Sequence, residues 1–179
     1  MASDRPVLPP DAEHAEDEGA GVPAEVYPYS AGVIGGLLGG LAMALVAVVT
    51  GIVIGRGPWY PLNLVAATVL RGLQTASVEA LSAFSPEALL VGLVLHLLLS
   101  GGIGFLFAVL LPTLPGPPWI WSLSLGPALW VIAQFVVLPV VNPVMSLGLY
   151  PPSFFIAHLV YGLVLGAWVQ RAGKVPAGT

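Results

Sequence analysis

Ser153 to Gln170 reads SFFIAHLVYGLVLGAWVQ, and Leu93 to Leu110 reads LVLHLLLSGGIGFLFAVL. Each is an uncharged apolar run with one histidine, and small residues stand four and eight positions after it: Ser100 and Gly104 after His96, Gly162 and Gly166 after His158. Those intervals are close to one and two helical turns, so each histidine heads a stripe of small side chains on one helix face. Charge-free runs of this length suit a bilayer core about 30 Å thick. Small-residue stripes mark faces along which helices approach closely in lipid.

Composition points the same way. Of 179 residues, 57% are hydrophobic and 8% charged, and the mean hydropathy is +0.94, outside the range of a soluble globular domain. Between Ser30 and Gln170 the only side chains expected to ionise are Arg56, Arg71, Glu79 and Glu87, all within one connecting segment. The chain has no cysteine, which excludes disulfides, thiolate nucleophiles, iron–sulfur clusters and cysteine zinc sites. Five unclustered basic residues cannot build a phosphate-facing patch, so nucleic acid is not an expected partner.

Two further spans and two tails complete the expected layout. Residues 1–29 form an acidic tail, carrying Asp4, Asp11, Glu13, Glu16, Asp17, Glu18 and Glu25 against Arg5, and read as disordered. The tail lacks the cationic and apolar regions of a signal peptide; it reads as a solubilising arm or a docking arm for a basic partner. The membrane domain is 30–171, with spans at about 31–54, 87–111, 119–141 and 153–170, and 172–179 is a short tail. In the first span Gly32, Gly36 and Gly40 fall four apart, leaving one face nearly bare backbone for helix packing or for a flat ligand. Gly55 to Pro61 is a turn-rich break with Trp59 and Tyr60 at the interface, and Asn63 is placed to cap the next helical segment. About 64–83, apolar residues at helical spacing interrupted by Arg71, Gln74 and Glu79 predict an interfacial amphipathic helix. Gly126-Pro127 predicts a kink in the third span, and Pro139 to Pro152 reads as an apolar loop at the interface or the bundle mouth. The fold expected is therefore all-α: an integral membrane four-helix bundle with one added amphipathic helix.

Aromatic placement supports an even number of spans, with Tyr27, Tyr29, Trp119, Trp121 and Trp168 on the side of the termini and Trp59, Tyr60 and Tyr150 on the other. Positive charges lean towards both termini lying in the cytoplasm. Trp59-Tyr60-Pro61 and Leu149-Tyr150-Pro151 hint at an internal duplication.

The polar residues of the spans are the candidates for chemistry. In an up-and-down bundle the second and fourth spans run the same way, which places His96 and His158 at similar depth, about 20 Å along their helices. Two neutral imidazoles at one level suit axial ligation of haem b, each giving one nitrogen to iron and one N–H to a carbonyl. A proton or substrate path through His96, His158 and Gln134, and plain interhelical hydrogen bonding, remain open beside it. Enzymatic sets are missing from the sequence: there is no carboxylate in a span, no Gly-x-Ser-x-Gly elbow, no third metal ligand beside the histidines, and no phosphate loop.

The run from His96 through Pro112–Pro118, the Ala133-Gln134 pair, Tyr150-Pro151-Pro152 and Ala157-His158-Leu159 together resemble the YagU-type small inner-membrane proteins of bacteria. The likeness covers about residues 30 to 171. It implies a four-helix protein of the bacterial inner membrane, of a family with no established enzymatic activity and so with no catalytic residues to carry over. The expectation is a non-enzymatic accessory or scaffold subunit that packs against other membrane subunits or itself in an electron-transfer or transport complex. A haem b carrier and a small transporter or proton path are the alternatives.

Overall fold

The computed structural model describes residues 25–177; the acidic stretch before Glu25 lies outside them. Among the described residues four helices are long and apolar enough to cross a membrane: Tyr29–Val53, Pro86–Thr113, Pro118–Val141 and Pro151–Ala172. Their α-helical parts are α1 (Tyr29–Val53), α4 (Pro86–Leu110), α5 (Pro118–Ile132) and α8 (Pro151–Ala172). Between α1 and α4 lie α2 (Tyr60–Ala66) and α3 (Val78–Ser82); α6 (Leu138–Val141) and α7 (Pro143–Gly148) separate α5 from α8. Ordered structure reaches beyond 30–171 on both sides, because β1 (Glu25–Val26) pairs antiparallel with β2 (Val175–Pro176) and clasps the two ends of the membrane domain together.

The glycines explain how the spans pack. On one face of α1, a methyl group added to Gly36 would overlap the Ser100 carbonyl, and one added to Gly32 would stand 2.6 Å from the Ala108 Cβ. On the next face, a methyl on Gly39 would lie 2.9 Å from the Tyr161 carbonyl oxygen, and one on Gly35 would lie 3.1 Å from the Leu165 Cδ1. One helix thus lies backbone to backbone against both α4 and α8. The α8–α5 seam repeats the device: a methyl on Gly126 would stand 2.5 Å from the His158 carbonyl oxygen, while Gly162 faces the Ser122 carbonyl and Gly166 the Ser122 hydroxyl. Close approach of this kind maximises dispersion contacts where no hydrophobic effect acts between helices. No comparable seam joins α4 to α5. Phe107 of α4 and Leu111 of the 3₁₀ turn that follows it instead meet Tyr161, Leu165 and Val169 of α8, with Trp121, Leu125 and Leu129 of α5 packed against them.

Three expectations change in detail. The amphipathic segment at 64–83 is helical but divided into α2, a 3₁₀ turn at Arg71–Thr75 and α3. Asn63 does not cap it from outside: it sits within α2 and its amide donates to the carbonyls of Leu81 and Ala83, both at 2.8 Å, which folds the segment back on itself. The third span does not open at Gly126-Pro127; α5 runs through Pro127, and the ladder widens to a π-turn at Ala133–Val137. The reason is Pro139, which lacks an N–H and whose ring would crowd the carbonyl four residues earlier in a normal helix. The 139–152 stretch is not a loop but α6 and α7, started at Asn142, whose side chain accepts from the Met145 N–H at 3.2 Å.

The seams give a matched test within one helix. Gly104→Ala must force its methyl into Gly32 and Gly36, whereas Gly102 has nothing within 4 Å. Overpacking costs about 1–3 kcal/mol, and glycine replacement at an open helical site gains roughly 0.5–1 kcal/mol. Unfolding in bicelles should therefore show Gly104→Ala destabilised and Gly102→Ala level with or above the parent; equal stabilities would refute the seam.

Candidate functional site

Towards the C-terminal end of α1 the α1–α8 seam parts, and α2 and α7 close over the gap. The result is a cavity of about 80 Å³ bounded by Met43 to Ile54 on α1, Tyr150 to Ala157 at the start of α8, and residues of α2 and α7, with His96 of α4 on its wall. Tyr60 and Tyr150, the paired tyrosines of the suspected duplication, both line it. At its edge, the Arg56 guanidinium donates to the Tyr60 hydroxyl and lies over the same ring, 4.8 Å from its centroid. The Tyr60 hydroxyl in turn donates to the Gly148 carbonyl at 3.2 Å. Arg56 is placed by a turn that needs glycine: Gly55 and Gly57 have φ of 74° and 79°, and the N–H groups of Arg56 and Gly57 both reach the Gly51 carbonyl, at 2.8 and 2.9 Å.

The two span histidines are held differently. His96 Nε2 donates to the Gly40 carbonyl of α1 at 2.8 Å, a bond that Gly40 permits by having no side chain. His158 is buried, and its Nδ1 donates to the Phe154 carbonyl of its own helix at 2.8 Å. Because a carbonyl only accepts, each ring carries its proton on the bonded nitrogen and keeps a lone pair on the other. Their small-residue stripes face different partners: Ser100 and Gly104, like His96, lie against α1, whereas Gly162 and Gly166 lie against α5. Only His96 borders the cavity. A cavity of about 150 Å³ holds one benzene, so about 80 Å³ does not take a porphyrin.

The remaining polar residues build structure. Tyr161 donates to the Ser100 carbonyl at 2.7 Å, so the α4 backbone at Ser100 meets both α1 and α8. Gln134 donates to the Ser146 carbonyl of α7 at 3.3 Å, not to another span; its Oε1 and the Trp130 Nε1 one turn earlier are buried without partners. Arg71 is exposed and donates to the Val141 carbonyl at 2.7 Å. Glu79 is fully exposed in the first turn of α3; its own backbone N–H and then the Ser77 hydroxyl hold its carboxyl below the ordinary value.

Asn142 is the residue that sequence reasoning passed over. It is fully buried, and its amide nitrogen donates to the Leu64 carbonyl and the Thr68 hydroxyl, both at 2.8 Å. Its oxygen accepts from Gln74 at 3.0 Å and from the Met145 N–H at 3.2 Å. All four bonding positions of the amide are used, which ties the 60–83 excursion to α7 and forms the roof of the cavity. The available signal was an Asn-Pro pair inside an otherwise apolar stretch, a common turn initiator.

Asn142→Leu leaves several buried polar groups unsatisfied and should cost about 2–4 kcal/mol. Tyr161→Phe, removing one interhelical bond, should cost about 0.5–1 kcal/mol. Denaturation in bicelles orders the two; a smaller loss for Asn142→Leu would remove it as the hub.

Among known proteins, no curated protein and no solved structure matches this chain. A family model does match, over residues 26–178, which includes all four spans, the cavity and the Asn142 hub. The chain belongs to the family of unknown function DUF6789.

Proposed function

We propose that this protein is a non-enzymatic accessory subunit of the bacterial inner membrane, with both termini in the cytoplasm, that packs through its third span against a larger electron-transfer or transport assembly. The observation that supports this is the unequal burial of the spans. In the third span 11% of the most apolar window is buried within the chain, against 44% in the last, and α5 has a close seam with α8 alone among the spans. Its outer surface, including Val131, Phe135, Val136 and Val140, is exposed. The small-residue stripes of α1 and α4 are spent on each other and that of α8 on one face of α5, which leaves the outward face of the third span as the surface most open to a neighbour. The likeness to YagU-type proteins fits such a role and adds no chemistry to it. A haem b carrier gains no support from the cavity, and a proton path would rest on the second ring nitrogens of His96 and His158 together with Gln134.

Photo-crosslinking tests the docking face in native membranes. A benzophenone side chain at Val131 or Val136 should capture a discrete second polypeptide, while one at Leu45 or Leu98, at least as exposed on α1 and α4, should not. Capture that is the same at all four positions, or absent at all, would overturn the reading. The chain has no cysteine, so single cysteines replacing Lys174 and the exposed Glu79 report orientation cleanly. Membrane-impermeant maleimide applied from outside should label the Glu79 position and spare the Lys174 position; the reverse pattern would invert the orientation.

A further inference from the structure

Three of the hydroxyls around the cavity are held by backbone carbonyls: Thr50 donates to the Val46 carbonyl at 2.9 Å, Ser153 to the Tyr150 carbonyl at 3.0 Å, and Tyr60 to Gly148. What they leave is a wall that is mainly methyl, methylene and ring surface, with the Tyr150 hydroxyl and the His96 ring as its other polar side-chain groups, which suits a hydrocarbon better than an ion or a sugar. The polar feature at the edge is a cation: Arg56 bonds to a phenol, and among the described residues no carboxylate neutralises it. An apolar slot with an unneutralised guanidinium at its edge is complementary to a molecule with a hydrocarbon chain and an anionic head.

We infer that the cavity between α1 and α8 is a binding site for one anionic phospholipid, with the end of an acyl chain in the slot and the phosphate on Arg56. The size fits a chain end only, since about 80 Å³ is about half of a cavity that holds a benzene. The rest of the chain then lies outside the slot, along the parted ends of α1 and α8. The neighbouring Trp59, packed on Phe84 with ring centroids 4.8 Å apart, suits the interfacial level at which a headgroup sits. This site is independent of the docking face on α5, and its failure would leave that reading standing.

Native mass spectrometry of the detergent-purified full chain, titrated with equal phosphatidylglycerol and phosphatidylcholine, tests it. One phosphatidylglycerol should be retained per protein with roughly fivefold preference, the effect of about one basic residue near an anionic surface. Arg56→Gln should erase the preference, and Arg71→Gln, remote from the cavity, should keep it. Ala47→Leu, which fills the slot, should abolish retention of both lipids. Equal retention of the two lipids by the parent, or an unchanged preference in Arg56→Gln, would overturn the proposal. A phosphatidylglycerol with a diazirine at its chain end tests the slot in the unaltered protein. Labelling at Met43 or Met145, both on the cavity wall, supports it, and labelling confined to outward faces of α4 and α5 rejects it.

Discussion

Backbone contact through glycine is the interaction on which the rest of this structure depends. In lipid an apolar side chain gains nothing by turning from acyl chains to another helix, so helices associate by fitting closely. The first span achieves this on two faces at once, with Gly32, Gly36 and Gly40 against α4 and Gly35 and Gly39 against α8. Because α1 touches both neighbours so nearly, Tyr161 can reach the Ser100 carbonyl and His96 can reach the Gly40 carbonyl. Those hydrogen bonds arise from the close packing and lock its register. Where the glycines of α1 give way to Met43, Ala44 and Ala47, the helices part and the cavity begins.

The second constraint is the need to satisfy polar groups away from water. The two connecting excursions, 60–83 and 138–150, break into short helices and expose backbone ends that lipid cannot solvate. Asn63 and Asn142 answer this, the first by closing the 60–83 excursion on itself and the second by joining it to α7. The third span is the exception. It opens in a π-turn, holds a buried donor and a buried acceptor without partners, and has the least of its apolar surface covered.

The spans were legible because helical membrane segments announce themselves by length, lack of charge and glycine spacing. The predicted ends at 31–54, 87–111, 119–141 and 153–170 fall within a few residues of the observed helices. The small-residue positions were legible as packing faces, but not which face meets which: the stripes below His96 and His158 look alike in sequence yet lie on α1 and α5 respectively. Pairing is a property of the assembled bundle, so one sequence read helix by helix does not contain it. The connecting segments misled for a related reason. Residues 64–83 carry a helical period, but the long-range bonds from Asn63 to Leu81 and Ala83 fold the segment against that local preference. The cavity and its Arg56 edge come from residues far apart in the chain and had no local signature beyond the repeated Tyr-Pro.

The bundle stands on α1 lying backbone to backbone with α4. Solid-state NMR of the protein in lipid, labelled with ¹⁵N in histidine rings and ¹³C in glycine carbonyls, measures this contact directly. The structure predicts a strong dipolar coupling between a protonated Nε2 of His96 and the Gly40 carbonyl, whose oxygen is 2.8 Å away, and its loss in His96→Gln. Absence of that coupling, or its survival in His96→Gln, would contradict the seam and the arrangement built upon it.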